Sequence, residues 1–254
     1  MTYTAVVLAG SRPGRDAFAE SYGTDLKALI PIAGEPMVRR PVQALLAAPA
    51  VGRMLVLTQS PERLSAVLPP DTRIEVRKSS GTIAATLLSL IDDPSVRWPV
   101  LVTTADHALL DAQMIGEFCS DADGSDLAIG VVERHNLMRR LPATKRTWIK
   151  FRRGAYTGAN LFALASPRVA PAIGLWRSVE QDRKKGWRLV ALLGPAVLLG
   201  AALRLLTLDA VLARLGRKLG LKVVAVRLSN PLAGVDVDKP EDHALVEAII
   251  AGQA

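Results

Sequence analysis

An α/β fold on a mostly parallel sheet, doubly wound with right-handed crossovers, is the architecture this sequence predicts. Three observations predict it. Short apolar runs alternate along the chain with stretches of helical spacing. The run at 99–103, PVLVT, is continuously apolar, as a strand buried on both faces must be. Two of the runs end in glycine or aspartate, at the edge where open α/β sheets place their ligands.

In order, residues 4–8 predict a first strand that ends in glycine. Residues 37–48 predict a helix with Pro41 in its first turn, where a missing N–H costs nothing. Strands follow at 53–58 and 73–76, with a short helix at 61–68 between them. The spacing of TIAATLLSLI predicts a helix over 82–91. After the strand at 99–103 come a helix at 111–119 and a strand at 126–133. Residues 134–156 break the rhythm with Arg and Lys, and 159–164 return as a strand. Residues 166–219 read as mostly helical, an insertion in a single domain spanning 1–254. A strand at 222–227 and a helix at 240–250 close the chain.

At 254 residues the chain is long enough for one sizeable core, and 50% hydrophobic with 22% charged residues is a globular composition. Cys119 is the one cysteine, which rules out an internal disulfide framework and a multi-cysteine zinc site. A reducing cytoplasm fits, and MTYTAVVLAG has no features of a signal peptide. The net charge of +8 favours anionic partners. With 4% aromatics and no nucleic-acid module, no nucleic-acid partner is expected. The uncharged run 189–203 is too short to span a bilayer, which takes roughly 20 residues. It reads as a buried helical hairpin or, with Trp176, Trp187 and the flanking arginines, as a peripheral membrane contact or homodimer surface through 187–205.

Five stretches carry chemistry. VVLAGSRPGR at 6–15 runs from a strand into a loop with small residues and two arginines. Its amides can surround a phosphate, with Arg12 and Arg15 adding charge, or it is an ordinary tight turn. KALIPIAGEPM at 27–37 places Lys27 before a Gly34–Pro36 turn, where it can neutralise a triphosphate. KSSGTIAAT at 78–86 precedes a helix, with Ser80 or Thr82 as caps. LVTTADHALL at 101–110 ends a buried strand in Asp106, and His107 reads as a neighbour of the site and not a ligand. GVDVDKPEDH at 234–243 alternates so that Asp236 and Asp238 share one strand face, and Pro240, Glu241 and Asp242 then start the last helix. Carboxylates without a Cys or His pair suit a hard cation.

Together, the LAGS–RxGR loop and the KALIPIAGEPM element resemble the signature of the MobA-like NTP transferases, with the aspartate elements in the expected order. The resemblance covers about 4–164 and 222–248. It implies a Rossmann-like, GT-A-like nucleotide-binding fold and a magnesium-dependent nucleotidyltransferase that releases pyrophosphate. By that resemblance Leu8, Ala9, Gly10, Ser11, Arg12 and Gly14 hold the NTP phosphates, and Arg15 and Lys27 stabilise the leaving pyrophosphate. Ser79, Ser80, Gly81 and Thr82 meet the base and ribose. Asp106 with Asp236 and Asp238 forms the Mg2+ site, Asp236 being favoured of the last two. Gly158 and Asn160 of TGAN contact the acceptor, and Lys145, Arg146 and Lys150 hold its phosphate. Ser11 replaces the usual second glycine, and the interval from Arg15 to Lys27 is longer than the family's compact form.

The expected reaction is in-line attack by a phosphorylated small molecule on the α-phosphorus of an NTP, CTP favoured and GTP next. A polar head-group alcohol phosphate for lipid synthesis is the favoured acceptor. Two other functions share the fold: a GT-A glycosyltransferase using a nucleotide sugar, and a non-catalytic protein binding nucleotide or anionic lipid.

Overall fold

The computed structural model describes residues 2–11, 14–180, 194, 200 and 205–253. Its centre is a sheet in the strand order β10-β7-β9-β6-β1-β4-β5, with β8 paired to β9. Here β1 is Tyr3–Leu8, β4 Val51–Thr58, β5 Ile74–Lys78, β6 Val100–Thr104, β7 Leu127–Glu133, β8 Ile149–Phe151, β9 Gly154–Leu164 and β10 Val223–Arg227. β1 is parallel to both β4 and β6, β4 to β5, and β10 to β7. β9 alone runs antiparallel, to β6, β7 and β8, so the sheet is mostly parallel as predicted.

Alternation along β1 explains why both faces are covered. Ala5 and Val7 enter one apolar cluster, with Val42 and Leu45 of helix α2 (Arg39–Ala47) and Met114, Ile115 and Phe118 of α5 (Ala112–Asp121). Val6 points the other way, to Ala84, Leu87 and Leu90 of α4 (Ile83–Ile91) and Ile173 of α7 (Ala170–Glu180). Side chains of period two therefore build two cores, one on each side. A third, smaller cluster joins Leu208 and Leu212 of α8 (Leu208–Leu219) to Val131, Leu221 and Val223.

Local signals set the helix starts. Thr82 caps α4 by accepting from the Ala85 N–H at 3.3 Å, and Asp111 caps α5 by accepting from Met114 at 2.7 Å. Pro240 opens α9 (Pro240–Ile250), whose first turn carries Glu241 and Asp242.

Several elements differ from expectation. Residues 134–156, read as an interruption, form helix α6 (Arg134–Arg140), β8 and the start of β9. The signature stretch folds as a 3-10 turn at Lys27–Leu29 and a two-strand hairpin, β2 (Pro31–Ile32) with β3 (Glu35–Pro36). Residues 234–238 are not a strand: a 3-10 turn at Pro231–Gly234 runs into extended coil that joins no ladder. Gly234 is buried there, and a Cβ would lie 3.0 Å from the Thr157 methyl and 3.2 Å from Val132 Cβ, so the chain passes close to β7 and β9. Short helices α1 (Ala17–Ser21) and α3 (Pro61–Ser65) complete the described set.

Of the expected helical stretch 166–219, a 3-10 turn, α7 and α8 are described. Trp187 and most of the apolar run 189–203 lie outside the described residues. Among the described residues no helix is long and apolar enough to cross a membrane.

Candidate active site

Parallel strands deliver their following loops to one edge. The Ala9 N–H donates to Leu57 O at 2.9 Å, Ala105 to Leu8 O at 3.0 Å and Ser79 to Thr58 O at 2.8 Å. The glycine loop, the end of β4, the serine loop before α4 and the Asp106 turn are thereby stitched side by side. The C-terminal acidic stretch joins them through the Val237 N–H, which donates to Asp106 O at 3.1 Å. Val237 is fully buried between Asp236 and Asp238, so both aspartates are carried to Asp106 without any strand.

Lys27 Nζ donates to Asp106 Oδ2 at 2.8 Å and to Asp238 Oδ1 at 2.6 Å. Its side chain is 20% exposed and that of Asp106 21%. Burial opposes the charged amine, but the Asp106 and Asp238 carboxylates outweigh it and raise the pKa above the usual lysine value. Thr104 Oγ1 donates to the other Asp106 oxygen at 2.5 Å and fixes its rotamer.

Asp236 has a different partner. Arg146 donates to its Oδ1 and, at 3.1 Å, to its carbonyl. Arg146 also lies 3.2 Å from Asp242 Oδ1, and the side chains of Arg146 and Asp242 are 7% and 8% exposed. Asn160, in the left-handed region at φ 47°, brings its Nδ2 to 3.4 Å from Asp236 Oδ2. Burial raises the Asp236 pKa, Asp238 adding to it, while Arg146 opposes the rise. Arg146, expected at the acceptor phosphate, is thus buried among carboxylates.

The donor set fits a hard cation. Lys27 Nζ sits as a positive charge between two carboxylates, and Asp106, Asp236, Asp238 and Asp242 outnumber the cationic Lys27 and Arg146 by two. The three expected metal aspartates do not converge on one point, for among the described residues no group of three such ligands is arranged to hold a metal. One or two of these carboxylates would hold Mg2+ together with phosphate and water.

The glycine loop is pinned by a residue that the sequence reading missed. Gln59, just beyond β4, accepts from the Ser11 N–H at 2.9 Å and donates to Ser11 O at 3.0 Å. A Cβ on Gly10 would stand 2.9 Å from the Gln59 amide, so a side chain there would displace the end of Gln59. Leu8 ends β1 and Ala9 is buried beneath the loop. Gly14 has φ +111°. Arg12 lies outside the described residues. Arg15 is exposed and pairs with Glu20 at 2.8 Å, so the structure does not bring it to Lys27.

In the serine loop, Ser80 and Thr82 spend their side chains locally: Ser80 Oγ reaches Ser89 at 3.2 Å and Thr82 caps α4. Gly81 has φ +101°. Glu180 of α7, also missed, accepts from the Ile83 and Ala84 N–H groups, each at 3.2 Å. Ser79 Oγ is buried without a partner among the described residues. Lys145 and Gly158 are exposed, and Lys150 lines an open cleft of about 420 Å³ with Arg134, Trp148 and Phe151. His107 is buried, and burial lowers its pKa to about 4, so it is neutral at pH 7.

The family model of the MobA-like NTP transferase domain matches residues 5–218. The chain belongs to that family. This MobA-like chain is similar to a hypothetical transferase from Thermus thermophilus, with 33% identity and TM-score 0.81, over 96% of this chain and 100% of that one. At 11% identity and TM-score 0.62, it shares its fold with a 4-diphosphocytidyl-2C-methyl-D-erythritol synthase from Anaerococcus prevotii, over 98% and 96% of the two chains. A nucleotidyl transferase from Methanothermobacter has the same fold at 18% identity and TM-score 0.56, over 100% and 99%. No curated protein matches the sequence.

Proposed function

We propose that this MobA-like protein is a magnesium-dependent nucleotidyltransferase that joins the NMP of an NTP to a phosphorylated small molecule and releases pyrophosphate. The observation that carries the reading is Lys27 Nζ held between Asp106 and Asp238 at the edge where the glycine loop ends. A lysine so placed sits beside the carboxylates that would hold Mg2+ and can meet the leaving pyrophosphate once the cation takes those oxygens. The glycine loop, braced at Ser11 by Gln59, ends at the same edge, and the NTP phosphates are proposed to lie against it. Bound Mg2+ would offset charge on the phosphate oxygens. The acceptor phosphate is ionised at neutral pH, so the residues need only position and neutralise, and no strong general base is required.

CTP is the favoured donor, with GTP next. The name of the Anaerococcus fold relative, a diphosphocytidyl-methylerythritol synthase, supports cytidylyl transfer to a phosphorylated polyol. Within that chemistry we favour a polar head-group alcohol phosphate as acceptor. Exposed Lys145, Lys150 and Gly158, with Asn160 behind them, are the residues for its side of the site. Arg15, freed from Glu20, is proposed to join the NTP phosphates.

The test is pyrophosphate release from each of the four NTPs with Mg2+ and pooled phosphorylated alcohols, sugars and cofactor precursors. Release with one NTP, dependent on a pool and lost in Asp106→Ala, is the expected result. Turnover of nucleotide sugars in place of NTPs would identify a glycosyltransferase, and nucleotide binding without any turnover a binding protein.

A further inference from the structure

Asp242 is a buried carboxylate that touches the Asp238 main chain and reaches Asp236 through Arg146. Its Oδ2 accepts from the Asp238 N–H at 3.2 Å, and its Oδ1 lies 3.2 Å from the Arg146 guanidinium. Arg146 in turn binds the Asp236 carboxylate and carbonyl. A guanidinium presents a rigid fork of donors, so two carboxylates fix its plane as well as its charge. Asp242 sits in the first turn of α9, two positions after Pro240.

We propose that Asp242 is a positioning residue that anchors Arg146 on Asp236 and the Asp238 main chain in place, and so sets the charge seen by the cation at Asp106 and Asp238. The inference rests on the nucleotidyltransferase reading for its consequence but not for its test. Arg146 offsets Asp236, and Asp242 offsets Arg146. Removing the outer carboxylate therefore takes one negative charge from the group formed by Asp236, Arg146 and Asp242, beside the proposed cation. Removing the arginine does the reverse. A pair serving only the fold has no such sign.

The experiment is Mn2+ titration of the whole protein by electron paramagnetic resonance, with thermal unfolding to confirm the fold. Asp242→Asn keeps an oxygen for the Asp238 N–H and loses only charge, and is expected to weaken Mn2+ about tenfold, a change of ~1.4 kcal/mol. Arg146→Gln is expected to tighten it, and the double variant to return within about threefold of the wild type. Folded Asp242→Asn with unchanged Mn2+ affinity overturns the proposal, as does a double variant weakened as much as the single one. If Asp242→Asn does not fold, the double variant decides by the same limits, and if neither folds the pair serves the fold and the proposal falls. Absence of pyrophosphate release with this ordering intact would remove the transfer reading alone.

Discussion

Lys27 Nζ stands 2.8 Å from Asp106 Oδ2, although 79 positions separate the two residues in the chain. On the proposed reading the amine holds oxygens that the cation would take, so lysine and metal would compete before substrate arrives. Lys27→Met is therefore expected to have effects of opposite sign. Mn2+ binding to the free protein tightens, while the rate of pyrophosphate release falls by roughly 10²–10³, the cost of losing one charge-stabilising donor. Parallel Mn2+ titration and single-turnover assays check both.

Asp106→Ala removes the carboxylate that β6 and Thr104 hold in place. Mn2+ binding and transfer are expected to be lost together, transfer by at least about 10³-fold. The fold is expected to survive, because Asp106 is part-exposed and its removal leaves Lys27 with Asp238. Circular dichroism alongside the assays separates loss of site from loss of fold.

Gln59 makes two bonds to the Ser11 main chain, each worth about 1 kcal/mol net. Gln59→Ala is expected to raise KM for the NTP about tenfold with little change in kcat, since it loosens the phosphate loop and leaves the charges alone. Gly10→Ala pushes the Gln59 amide away from 2.9 Å and is expected to copy that phenotype. The double variant then costs no more than either single one, a non-additivity that steady-state kinetics measures directly.

Cys119 lies 9% exposed on α5, and burial pushes its thiol up to about 12. The folded chain keeps this proton after the unfolded chain has lost it, so stability falls as pH rises above about 9, with a slope of up to about 1.4 kcal/mol per unit. Urea unfolding of the wild type and Cys119→Ala between pH 7 and 10.5 is expected to show the shallower slope in the variant. The native thiol is also expected to resist a thiol reagent at pH 8 and react on unfolding.

Much of the sheet was legible because its signals are local. PVLVT, flanked by breaks, can only be a buried strand, and it became β6. Thr82 and Asp111 sit where cap residues belong and cap their helices. The Arg/Lys-rich 134–156 was not legible: α6 is short, and β8 exists only because β9 lies beside it. The alternation of DVD misled for the same reason in reverse. A strand pattern makes a strand only where a neighbouring edge is free, and residues 235–238 instead cross the site on one bond to Asp106.

The sequence by itself determined most of the order of strands and helices and the family signature, because period, caps and turn chemistry act within a few residues. Only the tertiary structure decided which charges meet. Lys27 went to Asp106 and Asp238, Arg146 to Asp236 and Asp242, and Gln59 to Ser11. Each partnership joins residues at least 48 positions apart. Such pairs are chosen by strand order and by which side chains burial forces to find an opposite charge, and neither is written at any single position of the chain.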